Sequence, residues 1–172
     1  MTSFIIRAHE GREVSEPWNG SECIFCRIVR NEAPSYRIFE NDRVLAILDI
    51  QPLRRGHTLV IPKVHCSRVS ELPAEYAGAT GVAVSRVANA IAKALDNTAL
   101  NVVCNQEYAQ AVPHVHYHVI PAPRFDSDVA KGHNHVTLPL TQREMHKHEF
   151  ESREELDDEE AISLVSHIRA RL

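Results

Sequence analysis

A chain of 172 residues with 44% hydrophobic residues has the length of one domain and enough apolar content for an ordinary core. Its formal net charge of −4 and pI near 6.2 exclude the basic stripe that tracks a nucleic-acid backbone, and no apolar run is long enough to span a bilayer. The opening MTSFIIRAHEGREVSEPWNG lacks the apolar core and cleavage pattern of a secretory signal, which places the chain in the reducing cytoplasm with a nuclear pool left open, its four cysteines thiols or ligands before disulfides.

Residues 1–20 mix Gly, Pro, Glu and Arg without a period and read as a loose leader, with order beginning near Ser21. RVLAILDI (43–50) and HTLVIP (57–62) are short apolar runs separated by QPLRRG, where Pro52 and Gly56 supply turn chemistry. They read as neighbouring, mostly buried strands. From Pro73, a good first-turn residue, Tyr76, Ala83, Val84, Val87, Ile91 and Leu95 recur at three- and four-residue steps, predicting one long helix despite Gly78 and Gly81. ALNVVCN (99–105) and HVHYHVIP (114–121) read as two further strands, joined by a segment of hairpin length. Strands, one helix and strands again predict an α+β domain with an antiparallel sheet packed on one helix. After Pro121 and Pro123 the chain turns polar, as a surface arm would, until Asp157 and Glu160 form a capping-box pattern. A helix from about Asp157 to Arg171 is predicted there, with Ile162, Val165, Ile168 and Leu172 as its apolar stripe, docked on the domain or on a second subunit.

In HVHYHVIP a strand would put His114, His116 and His118 on one face and Val115, Tyr117 and Val119 on the other. For one histidine the ordinary reading is an outward polar residue. Three on one face point instead to a metal site, or to nucleophilic and acid–base chemistry, since imidazole titrates near neutrality and can attack phosphorus. Spacing alone does not choose. C-I-F-C at 23–26 has the gap that lets two thiolates reach one tetrahedral ion, and His65 offers a further nitrogen. Two inert thiols or a redox pair are the other readings, although a redox pair would open a helix in a thioredoxin-like βαβ pattern that this segment does not display.

HVHYHVI matches the His-φ-His-φ-His-φ-φ signature (φ apolar) of the histidine triad family. The upstream stretch CIFCRIVRNEAPSYRIFENDRVLAILDIQPLRRGHTLVIPKVH and the later LNVVCN also resemble that family, over roughly residues 21–123. The resemblance is greatest to the branch of histidine triad nucleotide-binding proteins, which act as purine nucleoside phosphoramidases. It implies a domain at 21–123 with a five-stranded antiparallel sheet on one long helix, followed by an arm at 124–172. It further implies that His116 is the nucleophile, that His118 binds the non-bridging phosphate oxygens, and that His57 completes the phosphate pocket. Asp49 would accept the ribose hydroxyls, Ile50 would pack along the nucleoside, Asn105 would face ribose and phosphate, and Gln110 and Ala111 would stand beside the phosphate. In zinc-containing members the positions of Cys23, Cys26, His65 and His114 hold one structural zinc ion per chain, leaving Cys66 and Cys104 as ordinary thiols. The branch also forms two-fold dimers through the long helix and the following strand, which would place Ala79, Ala83 or Ala90 near the axis. Two features depart from the branch: the loop before the triad is shorter, and Ala111 stands where a serine or threonine is common. The function implied is cleavage of adenosine 5′-phosphoramidates. A dinucleoside polyphosphate hydrolase is an alternative enzyme, and a catalytically weak nucleotide-binding adaptor is an alternative of another class.

Overall fold

The computed structural model describes residues 23–107, 109–123 and 153–172, with positions 141, 144, 147 and 151 between them. The expected leader 1–20, Ser21 and nearly all of the arm 124–152 lie outside the described residues. The elements in chain order are α1 (Ile24–Val29), β1 (Arg37–Glu40), β2 (Val44–Leu48), β3 (Thr58–Pro62), a 3-10 turn (Val69–Glu71), α2 (Ala74–Leu95), β4 (Leu100–Cys104), β5 (Tyr117–Pro121) and α3 (Asp158–Arg169). The five strands form one sheet in the order β1-β2-β3-β5-β4, every pair antiparallel, as expected for an α+β fold.

Every residue of β2 and β3 is buried, so both faces of the central sheet are covered. Alternation divides their side chains. Val44, Ala46, Leu48, Val60 and Val119 pack beneath Ala83, Val87, Ala90 and Ile91 of α2, and Ala161, Leu164 and Ile168 of α3 join that cluster. Leu45, Ile47, Leu59 and Ile61 meet Cys23, Phe25, Cys26 and Ile28 on the opposite face. The turn between β2 and β3 depends on Gly56, which sits at φ +86°, and a Cβ there would lie 2.7 Å from Leu95 Cδ1 at the end of α2. Only glycine satisfies both the backbone and the space.

Four differences from the sequence reading have physical causes. A helix, α1, opens directly at the C-I-F-C segment with Cys23 as its N-cap, although without a thioredoxin-like βαβ unit. A fifth strand, β1, is present at Arg37–Glu40 and pairs with β2 through an irregular register, too short to announce itself by alternation. β5 begins only at Tyr117: His114 N–H donates to Val112 O (2.8 Å) in a tight bend and Val115 N–H to Cys66 O (2.7 Å), so His114 to His116 lie outside the ladder. In α3, Asp157 caps the helix by accepting from Glu160 N–H (3.0 Å), worth about 1 kcal/mol. However, the buried face is Ala161, Leu164 and Ile168, while Ile162 is 65% exposed and Leu172 is also exposed. Ile168 belongs to both stripes and Val165 still packs against the core, so the buried face is turned by less than one residue step of about 100° from the expected one, as the position of α2 and β1 requires. Ala83 and Ala90 lie in the same buried cluster, on the α2 face that carries Thr80, Val87 and Ile91, and are therefore not on a surface open to a second copy.

Candidate active site and metal centre

His116 is the residue immediately before β5. Its Nδ1–H donates to the carbonyl of His114 (2.7 Å), so the other ring nitrogen, Nε2, carries the lone pair. Burial holds this imidazole below its ordinary range and hence neutral. Phe25 fixes the ring from α1 at a centroid distance of 5.1 Å, edge on, and His118 packs against it at 4.9 Å.

Hydrogen bonds also assign the tautomers of the other two histidines. Leu53 N–H donates to His57 Nδ1 (3.1 Å), which places the His57 proton on Nε2. His57 Nε2–H then donates to His118 Nδ1 (2.9 Å), leaving the His118 proton on Nε2. The relay ends with a donor on His118. Asp49 Oδ2 stands 3.5 Å from His57 Nδ1, but that nitrogen is already an acceptor, so the contact is not an ion pair. Asp49 Oδ1 accepts Gln51 N–H at 2.9 Å. Burial raises the Asp49 carboxyl above its usual range, opposed by that N–H and by the charge of Arg153.

Burial first, then neighbouring positive groups, hold His57 down to about 3; burial and His116 hold His118 to about 3. Both folded values lie below that of an unfolded histidine. Below about pH 6.5 the unfolded chain therefore takes up protons that the folded chain refuses, and stability falls as pH drops toward 3. The expected slope is on the order of 1 kcal/mol per pH unit for each ring between about pH 6.5 and 5. Urea midpoints measured across that interval check it, and a constant midpoint contradicts neutral burial of the pair.

These groups line one cavity of about 1040 Å³. Apolar side chains of Ile24, Phe25, Ile28, Ile47, Leu48 and Ile50 share its lining with Asp49, His57, Asn105, His116 and His118. A largely apolar cavity with a few convergent polar groups suits a flat aromatic ring joined to a polar tail.

A second cluster lies behind Phe25. Cys23 and Cys26 at the start of α1, His65 just after β3 and His114 place one donor atom each within 4.8 Å of one another. Nδ1 of His114 is 3.4 Å from Cys23 Sγ, 3.6 Å from Cys26 Sγ and 3.3 Å from His65 Nδ1, and Cys26 Sγ is 3.3 Å from His65 Nδ1. A tetrahedron with zinc–nitrogen bonds of about 2.0 Å and zinc–sulfur bonds of about 2.3 Å has nitrogen–nitrogen edges of about 3.3 Å and nitrogen–sulfur edges of about 3.5 Å. His114 Nε2–H donates to Pro62 O (2.8 Å), which turns the Nδ1 lone pair toward the cluster. Burial, reinforced by Cys23, pushes the Cys26 thiol up to about 11. The positive charge of Arg30 opposes that rise only in part, and two buried sulfurs so placed are the environment that a divalent ion relieves. The donor set, spacing and tautomer therefore fit zinc, with no position left for water.

The structure thus gathers Asp49, Ile50, His57, Asn105, Ala111, His116 and His118 around the cavity and Cys23, Cys26, His65 and His114 into a separate cluster. Gln110 is the exception. Its Nε2–H donates to Ser67 O (2.9 Å) and its Oε1 accepts Glu107 N–H (2.8 Å), so it braces the loop and does not line the cavity. Sequence reasoning missed Phe25, although it lies between the two cysteines and its ring meets both His114 and His116. It also missed Leu53, whose role is carried by backbone alone, and the lining residues Arg153 and Leu156 of the C-terminal segment.

Known proteins resemble the chain in sequence and fold. The family model described as HIT domain matches residues 30–125. The adenylylsulfatase HINT3 of Arabidopsis thaliana is 38% identical over 108 residues, covering 62% of this chain and 55% of that protein. The adenosine 5′-monophosphoramidase HNT1 of Saccharomyces cerevisiae is 39% identical over 101 residues, covering 58% of this chain and 61% of that protein. The chain thus spans little more than half of either relative. Among solved structures, a zinc-bound histidine triad family protein from Mycobacterium smegmatis superposes with a TM-score of 0.66 at 32% identity, covering 88% of this chain and 96% of the other. With the triad on β5 and its approach, the five-stranded sheet and the matched domain all in agreement, the chain belongs to the HIT-domain family.

Proposed function

We propose that the chain is a nucleotide hydrolase that cleaves the P–N bond of adenosine 5′-phosphoramidates through a nucleotidyl-histidine. The observation that carries this reading is the pair of adjacent rings lining the cavity, one presenting a lone pair and the other an N–H. His116 Nε2 attacks the α-phosphorus, a P–N(His) bond forms, and the bond to the amine breaks. Ala111 offers no hydroxyl to the departing amine, so its proton comes from water in the open cavity. His118 Nε2–H donates to a non-bridging oxygen as charge builds there, and the His57 relay keeps that donor in place. Water then attacks phosphorus, releasing AMP and restoring His116. Asp49 accepts the ribose hydroxyls, Ile50 packs along the nucleoside, and Asn105 meets ribose and phosphate.

One zinc ion per chain, held by Cys23, Cys26, His65 and His114, serves structure in this reading. It ties α1, and with it Phe25, to the segment that carries the nucleophile.

The similarity to a protein named as an adenylylsulfatase supports a second reading, in which the leaving group is sulfate on the same adenosine 5′-phosphoryl unit. Parallel incubations with a fluorogenic adenosine phosphoramidate, adenosine 5′-phosphosulfate, diadenosine triphosphate and diadenosine tetraphosphate, read by AMP release, separate these activities. The phosphoramidate is expected to turn over fastest. Faster release from the phosphosulfate favours the second reading, and faster release from a dinucleotide favours the polyphosphate hydrolase. Binding of AMP with no turnover of any substrate favours an adaptor.

A homodimer is part of the proposal. β4 is an edge strand, and its Val102 is 45% exposed. Such an edge pairs readily with a second copy. Light scattering is expected to give twice the 19.4 kDa chain mass at micromolar concentration, with Val102→Glu shifting the mass toward one chain. A wild-type mass of one chain overturns the dimer.

A further inference from the structure

Residues Arg153 to Asp158 enter the cavity from outside the sheet. Leu156 N–H donates to Ile50 O (2.9 Å), the Tyr36 hydroxyl donates to the Asp158 carboxylate, and α3, immediately afterwards, sinks Ala161, Leu164 and Ile168 into the core. A surface ion pair between Arg55 and Glu160 adds a weaker tie. The segment is therefore a strap fastened at both the cavity and the core, and its bond to Ile50 lays it alongside Asp49, the preceding residue.

Among the described residues that line the cavity, Arg153 is the only arginine or lysine. The carboxylates lining it are Asp49, Glu155 and Asp158. Asp158 is engaged by Tyr36 and Glu155 is exposed, whereas Asp49 lies within the wall with only 16% of its side chain accessible. A carboxylate so withdrawn from water tends to take up a proton and would then compete poorly for two ribose hydroxyls.

Resting on the nucleotide-binding reading above, we propose that Arg153 is a positioning residue for Asp49, holding its carboxylate charged and aimed so that it accepts both hydroxyls of the ribose. The C-terminal strap is then part of the nucleoside site, and it selects ligands with an intact ribose diol. The groups that face Asp49 are consistent with this division. His57, at the start of β3, is neutral with its near nitrogen already occupied, and Gln51 supplies one backbone N–H. The charge of Arg153 acts on both Asp49 and His57, favouring the ionised form of the first and the neutral form of the second.

Titration calorimetry of the full chain with AMP and with 2′,3′-dideoxy-AMP tests the assignment in wild type, Arg153→Gln and Arg153→Lys. Arg153→Gln is expected to weaken AMP by about tenfold and the dideoxy ligand by less than about twofold, a difference that loss of fold or general packing does not produce. Arg153→Lys is expected to restore most of the AMP affinity. The AMP deficit of Arg153→Gln is expected to grow between about pH 7.5 and about pH 5, because the carboxylate then protonates at a higher pH. Equal weakening of both ligands, or unchanged AMP affinity, overturns the proposal. Both measurements are of binding. Phosphoramidate turnover with unchanged AMP affinity in Arg153→Gln sinks this inference alone, whereas AMP binding with the expected selectivity but no turnover sinks the enzymatic reading alone.

Discussion

Replacing His116 with glycine is expected to lower turnover of the phosphoramidate by at least about a thousandfold, corresponding to about 4 kcal/mol of lost transition-state stabilisation. AMP affinity should change by less than about tenfold, because the apolar lining of the cavity, Asp49 and Asn105 are untouched. The two effects separate because the ring is held through Nδ1 by the His114 carbonyl, which leaves Nε2 for the chemical step. Added imidazole should recover part of the rate in the glycine variant, since the space it leaves is bounded by Phe25 and His118 and fits one free ring. Mass spectrometry of quenched wild-type reactions should show a chain heavier by one adenylyl group, absent from the variant. Undiminished turnover in His116→Gly removes the nucleophile assignment.

Removing the metal centre should have a large effect of another kind. Elemental analysis of protein purified without a histidine tag is expected to give close to one zinc per chain, and Cys23→Ser to lose it. With the zinc gone, Cys26, His65 and His114 remain buried or half-buried with their donors turned on one another, and α1 keeps its packing and the bond from Arg37 to Ile28 O. A loss of about 3 kcal/mol, or about 10 °C in Tm for a chain of this size, is expected, with faster hydrogen exchange over residues 23–30. Activity should fall less than about tenfold, because His116 is not itself among the four residues of the metal cluster. Wild-type protein without zinc contradicts the assignment. So does metal removal that stops the chemistry while the fold persists.

Much of this arrangement was legible in the residues because it rests on periodicity and on chemically distinctive side chains. The runs at 43–50 and 57–62 became β2 and β3, Pro73 stands at the start of α2, and the Asp157 cap sits where its capping box predicted. The histidines, Asp49 and the cysteine pair could be singled out because few roles combine those groups at those spacings. What was hidden depends on contacts between distant parts of the chain. The pattern of α3 gave Ile168 and Val165, but contact with α2 and β1 brought Ala161 and Leu164 into the core in place of Ile162 and Leu172. Gln110 has the identity expected beside the phosphate, yet a carbonyl at Ser67 and an N–H at Glu107 claim its amide. Leu53 and Leu156 contribute through backbone N–H groups, which no side-chain motif records.

The two faces of the sheet give loop length an unexpected freedom. Leu59 pairs with His118 and Thr58 with Val119, so a slip of β5 by one residue would drive an imidazole into the helix core and leave a valine in the cavity wall. Neither face tolerates that exchange, and Val115 is separately pinned to Cys66. An insertion or deletion between Asn105 and Pro113 must therefore be absorbed as slack before the pinned residue, never passed on as a shift of the strand. Over evolutionary time that stretch can lengthen, shorten or change its residues, recasting the part of the cavity wall that Ala109, Ala111 and Val112 form, while the rings of His116 and His118 keep their spacing.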